Sequence, residues 1–116
     1  MTEKTIIQNV RNLNEIFVVE MSGSLDVSLQ KELRDDLSRT MVPASDGVLD
    51  FSNVSFIDSS CLGALVSLLK STRDAGGDFK LANLTDDVRS IFQITRLERV
   101  FEIFDTAEEA VESYYK

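Results

Sequence analysis

The chain has no histidine, no tryptophan, one cysteine and one proline among its 116 residues. Without histidine there is no Ser-His or Cys-His nucleophile pair. A lone thiol supports neither a disulfide framework nor a zinc cluster. Near the motif discussed below, carboxylates are the only general bases. The expectation is therefore a non-enzyme with no catalytic residues, no metal ligands and no cofactor. Positive charge is also scarce, with 12 Lys and Arg against 20 Asp and Glu and a net charge of -8. Such a surface repels a phosphate backbone, and no basic stripe interrupts it, so nucleic acid is not an expected partner. An anionic membrane surface is disfavoured for the same reason. No apolar run approaches the roughly 18 residues of a membrane span. The opening Met1-Thr2-Glu3-Lys4-Thr5 lacks the apolar segment of a signal peptide, which makes the cytoplasm the expected location. Binding to another protein is left as the leading class.

What is present is the composition of a soluble domain, 43% hydrophobic and 28% charged, in a length typical of one domain, residues 1–116. Thr5 to Val10 and Ile16 to Met21 read as a hairpin across Asn12-Leu13-Asn14-Glu15. Ser22-Gly23-Ser24 ends the second strand, and Ser24 or Asp26 can cap the helix that follows. From Val27 to about Met41, Leu29, Leu33 and Leu37 recur every four residues, giving one buried stripe. Pro43 lies in a loop. Val48 to Phe51 is a short strand and Ser60 to Ala75 a helix stopped by Gly76-Gly77. Asp78 to Ala82 is a strand with Phe79 and Leu81 on one face. Leu84-Thr85-Asp86 opens a short helix to about Ile94, with Val88, Ile91 and Phe92 inward. Val100 to Phe104 is the last strand, and Asp105-Thr106 caps a final helix through Tyr114. The order ββαβαβαβα implies an α/β fold, a mixed sheet with parallel crossovers and helices packed on it.

Asp58-Ser59-Ser60 stands between the Val48–Phe51 strand and the next helix. One reading is that Asp58 or Ser59 caps that helix, both being preferred capping types. The other is a hydroxyl presented for phosphorylation. A phosphate adds about 1.5 to 2 negative charges and three strong acceptors, and the free N–H groups of a helix N-terminus partly accommodate it. Spacing alone leaves both open. Gly63 costs about 1 kcal/mol inside a helix relative to alanine, which calls for close packing on the sheet or close approach by a partner. Asp50 could suggest a phospho-accepting receiver domain. Such domains need an acidic pair after the first strand and a lysine after the last; here those strands end in Val10-Arg11 and Asp105-Thr106. Asp50 is then a strand-end or loop-anchoring carboxylate. Cys61 reads as a small buried hydrophobe, not a redox switch. Glu108-Glu109 in the first turn of the last helix suit its dipole.

The run from Val48 to Leu65, VLDFSNVSFIDSSCLGAL, resembles the signature of a STAS domain, and more narrowly the bacterial anti-sigma factor antagonists. The resemblance extends over essentially the whole chain, through the opening hairpin, the Gly23-Ser24-Leu25-Asp26 turn and the Gly76-Gly77 break. It implies a STAS fold and a partner switch. In that family the unphosphorylated antagonist binds an anti-sigma factor, itself a serine kinase of histidine-kinase-like ATPase fold, and frees the sigma factor. The kinase phosphorylates the first serine of Asp-Ser-Ser, here Ser59, which ends binding, and a PP2C-type phosphatase resets it. ATP and magnesium belong to the kinase. The resemblance also implies a partner surface of Ser24, Asp26, Asp58, Ser60, Cys61, Leu62 and Gly63 around Ser59. The sequence departs from the family at Cys61, where glycine is commoner. Relatives with the same motif include scaffolds of sensory complexes and small subunits of lipid-transport machines, so a constitutive STAS scaffold is the alternative.

Overall fold

A computed structural model describes residues 7–13, 15–40 and 45–115. Its elements are β1 (Ile7–Leu13), β2 (Ile16–Leu25), α1 (Gln30–Thr40), β3 (Asp46–Ile57), α2 (Ser59–Asp74), β4 (Asp78–Ala82), α3 (Asp86–Ile94), β5 (Ile103–Phe104) and α4 (Ala107–Glu112). Short 3-10 turns at Val27–Leu29, Leu97–Arg99 and Ser113–Tyr115 join or extend the helices. The five strands lie in the order β1-β2-β3-β4-β5. β1 pairs antiparallel with β2, and every later pair is parallel. The sequence expectation of a mixed α/β sheet in the order ββαβαβαβα is met.

Successive side chains of a strand point to opposite faces, and both faces of this sheet are covered. Val19, Leu49, Phe79 and Leu81 share one face with Leu33 and Leu37 of α1, Leu65 and Leu69 of α2, and Val88 and Phe92 of α3. Val18, Val48 and Ala82 share the other with Ala107, Ala110 and Val111 of α4. Covering both faces is what parallel strands require, and it explains the unbroken apolar pairs Val18-Val19 and Val48-Leu49. Phe92 meets Phe51 and Phe101 edge-on, with ring centres 6.5 and 5.7 Å apart. Phe101 also lies 6.0 Å from Phe79. Such pairs contribute about 0.5–1.5 kcal/mol each beyond area burial, and they close α3 and the following turn onto the sheet.

Several boundaries differ from the sequence reading, each for a tertiary reason. β3 does not stop at Phe51 but runs on to Ile57, and β2 does not stop at Met21 but continues through Ser22-Gly23-Ser24 to Leu25. The two strands overhang the sheet together, pairing Ser22 with Asn53, Gly23 with Val54, Ser24 with Phe56 and Leu25 with Ile57. Asp50 is consequently no strand end. It is a buried mid-strand carboxylate where the pairing of β3 with β4 stops at Ala82. Its oxygens accept from the Ser52 N–H (2.9 Å) and the Asn83 amide (3.2 Å). β1 runs past Val10 to Leu13, into the expected turn. Thr5, Asn14, Met41 and the Pro43 loop lie outside the described residues. The last strand shrinks to Ile103–Phe104 because the Val100 and Phe101 N–H groups both turn back to the Leu97 carbonyl.

The C-terminal segment is clasped to the sheet through a buried lysine. Lys80 points from β4 toward the α4 face, where its ammonium donates to Ser113 Oγ (2.7 Å) and sits 4.1 Å from the centre of the Tyr114 ring. The Glu102 carboxylate lies 3.6 Å away. The Tyr114 hydroxyl donates to the Gly47 carbonyl at 2.7 Å, and burial pushes its pKa well above the usual range. Replacing Tyr114 by Phe removes one buried hydrogen bond and should cost about 1 kcal/mol. Tyr114→Ala also removes the ring over Lys80 and should cost roughly 3 kcal/mol. Urea unfolding monitored by circular dichroism checks both, with the two midpoints falling in that order.

Candidate functional site

The overhang of β2 and β3 brings together two segments far apart in sequence. The Asp58 N–H donates to the Leu25 carbonyl at 3.0 Å, carrying the strand pairing up to the start of α2. Asp26, just beyond Leu25, caps the Val27–Leu29 turn by accepting from the Ser28 N–H (2.9 Å). Asp58 caps α2 by accepting from the Cys61 N–H (3.0 Å). Between the two caps runs a third link, the Cys61 thiol donating to the Asp26 carbonyl at 3.2 Å. The site therefore lies outside the C-terminal ends of two parallel strands, the usual location for binding in open α/β sheets.

Asp58 takes the cap that the sequence left open between it and Ser59. Ser59 becomes the first residue of α2. It is exposed, and its hydroxyl has no hydrogen-bond partner among the described residues. Four residues on, and so on the same helix face, Gly63 is also exposed. A Cβ built there meets nothing within 4 Å, so close packing on the sheet is not the reason for this glycine. Across from Ser59, Ser24 is exposed and Asp26 half-buried. Gly23 has φ +99, a left-handed conformation that strains any residue with a Cβ. It sits at the register shift between Gly23 and Ser24 in the pairing of β2 with β3.

Two residues expected at the partner surface are buried. Cys61 is fully buried and Leu62 nearly so, both in the main core. They occupy the inward stripe of α2 while Ser59 and Gly63 occupy the outward one. Burial above all, then the Asp58 and Asp26 carboxylates, push the Cys61 thiol up to about 11. Conversely, the sequence reading missed two surface groups. Phe56 is 44% exposed and Val27 63% exposed, the first paired with Ser24 and the second beside Asp26. The available signal was phase, since Phe56 precedes the inward Ile57 and must face outward. Two apolar side chains are thus exposed at the strand ends that lead into the Ser24–Asp26 and Asp58–Ser59 segments. Among the described residues no group of three or more His, Cys, Asp or Glu side chains could hold a metal ion. No described helix is long and apolar enough to cross a membrane.

Residues 8–110 match the profile of the STAS domain. A Thermotoga neapolitana protein described as a homologue of an anti-sigma factor antagonist is 42% identical over 65 residues, 56% of this chain and 58% of that protein. The match thus spans under two thirds of that relative's length. The anti-sigma-B factor antagonist of Bacillus subtilis is 31% identical over 102 residues, 88% of this chain and 93% of that one. In three dimensions, an anti-sigma factor antagonist from Thermotoga maritima superposes with a TM-score of 0.84 at 24% identity, covering 93% and 94% of the two chains. The anti-sigma factor antagonist SpoIIAA superposes in its unphosphorylated form with a TM-score of 0.72 at 22% identity, covering 92% and 95%. Its phosphorylated form gives 0.64 at 22% identity, covering 91% and 97%. At these identities the structural likeness speaks for the fold.

The buried thiol gives a pH-dependent prediction. A thiol raised from 9.0 to about 11 on folding keeps its proton in the folded chain while the unfolded chain loses it. Its contribution to stability is complete below pH 9 and is lost as the pH rises toward 11. Urea midpoints of wild type should fall more steeply than those of Cys61→Ala across that window. Native Cys61 should also react with a thiol reagent only at the rate of unfolding; rapid native labelling would contradict its burial.

Proposed function

The chain belongs to the STAS domain family, among the anti-sigma factor antagonists, and on that premise we propose that it is a phosphorylation-controlled antagonist. Its unphosphorylated form binds an anti-sigma factor that is also a serine kinase, of histidine-kinase-like ATPase fold, and so releases the sigma factor. Phosphorylation of Ser59 ends binding, and a PP2C-type phosphatase restores it. This chain supplies an acceptor and a surface, while nucleotide, magnesium and catalytic groups belong to the kinase.

The observation that carries this reading is the exposed, unengaged hydroxyl of Ser59 at a junction already capped by Asp58. A kinase can reach that hydroxyl without unfolding α2, and α2 does not need it. A phosphate there would face the N-terminus of a helix, which tolerates it, and the Asp58 and Asp26 carboxylates, which oppose it. Its effect is a changed surface on an intact fold. Solved forms of SpoIIAA with and without phosphate support a fold that accommodates both states. We assign Ser24, Asp26, Asp58, Ser60 and Gly63 to the partner surface, with Phe56 and Val27 as its apolar anchors. An exposed aromatic beside a polar acceptor suits an interface whose centre is desolvated on binding. Adding about two charges there removes that desolvation, and a buried like charge costs several kcal/mol.

Titration calorimetry against the purified kinase with nucleotide bound tests the reading. Ser59→Ala keeps a small uncharged side chain and should bind as wild type does. Ser59→Glu and the enzymatically phosphorylated protein should bind weaker by orders of magnitude, the carboxylate less completely. Phe56→Ser should cost about 2 kcal/mol of binding with an unchanged thermal midpoint. Equal affinities for phosphorylated and unphosphorylated protein would leave a constitutive scaffold as the better reading.

A further inference from the structure

On the same face of the sheet, about 12 to 18 Å along α2 from Ser59, an open groove of about 240 Å³ separates α2 from α1. Arg34 and Ser38 line it from α1, and Ser67, Leu68 and Ser71 from α2. Each polar pair is spaced by one helical turn, so each helix turns two donors toward the groove. The charge pattern of α1 singles this groove out. Lys31 is held by Asp35 at 2.7 Å, and Arg39 is held by Asp36. Arg34, between them, makes no ion-pair contact among the described residues, its charge acting on Asp35 only from a distance. In a chain with 20 acidic residues and a net charge of -8, the α1 cation outside any ion pair is the one that faces this groove. The three serine hydroxyls are also unclaimed among the described residues. Thr72, next to Ser71, is by contrast tied back to the Leu68 carbonyl at 2.8 Å.

We infer that the groove bounded by Arg34, Ser38, Ser67 and Ser71 binds a tetrahedral oxyanion, phosphate either free or as a phosphomonoester. A guanidinium fork engages two oxygens at once. Hydroxyls from the two walls donate to the remaining ones, and none has to change protonation state. A planar carboxylate, with two oxygens, would leave part of this donor set unused. A water takes about 30 Å³, so the groove holds an oxyanion with part of its hydration shell. This site uses none of the residues assigned to the partner surface, so it stands or falls separately from the Ser59 switch.

The test is a two-dimensional NMR titration of the full chain at constant ionic strength, with inorganic phosphate in one arm and phosphoserine in the other. Saturable shifts confined to the amides around Arg34, Ser38, Ser67 and Ser71, at millimolar concentration or below, are expected. The arm that binds more tightly identifies the source. Arg34→Gln should weaken binding at least about tenfold with an unchanged thermal midpoint, since the side chain is exposed. The double variant Ser67→Ala with Ser71→Ala should weaken it less. Shifts reproduced by sodium chloride at matched ionic strength, or Arg34→Gln binding as wild type does, would overturn the inference.

Discussion

The parallel pairing of β2 with β3 beyond the end of the sheet is the constraint on which the rest depends. Among the described residues, from Ser22 and Asn53 onward these strands have only each other as ladder partners, up to Leu25 and Ile57. Leu25, Val54 and Ile57 hold the overhang down in the core, while Ser24 and Phe56 face solvent. A shift of register between Gly23–Val54 and Ser24–Phe56 lets Val54 and Ile57 both face inward. Beyond it side chains alternate, and a slip of one residue there would expose Leu25 and Ile57 and bury Ser24 and Phe56. The register that stabilises the core is thus the register that presents the surface. The hydrogen bond from Asp58 to Leu25 then fixes where α2 begins.

Around that junction three side chains divide the work so that a fourth stays free. Asp58 caps α2, Asp26 caps the turn that leads into α1, and Cys61 ties the two together from inside. The Cys61 side chain points into the core, so it adds packing beneath the junction and stays off the outer face. On the function proposed above, stability and signalling are separate: loss of a cap costs about 1 kcal/mol, whereas a change at Ser59 alters the exposed surface alone.

Much of this was legible in the sequence where a local rule and the tertiary structure agree. The order of elements followed from the change between helical and strand periodicity. Thr85 and Thr106 cap α3 and α4 as their residue types suggest. The overhang was not legible, because Ser52-Asn53-Val54-Ser55 has the composition of a turn and becomes strand only through pairing with β2. The choice of cap between Asp58 and Ser59 was invisible because both residue types cap helices. Alternation along β4 placed Phe79 and Leu81 together but could not show that the opposite face, with Lys80, lies under α4. Phe56 and Val27 were hidden because hydrophobicity alone reads as core; only their phase relative to Ile57 and the Leu33–Leu37 stripe marks them as surface.

The central claim is that Ser59 is a phosphate acceptor held ready by a junction that does not need its hydroxyl. Peptide mapping by mass spectrometry of the protein isolated from its native cells tests this most directly. The prediction is a population carrying one phosphate, on the peptide containing Ser59 and localised to that residue by fragmentation, which rises and falls with growth condition. A Ser59 peptide that is unmodified under every condition, or a phosphate found only on Ser60 or elsewhere, would contradict it.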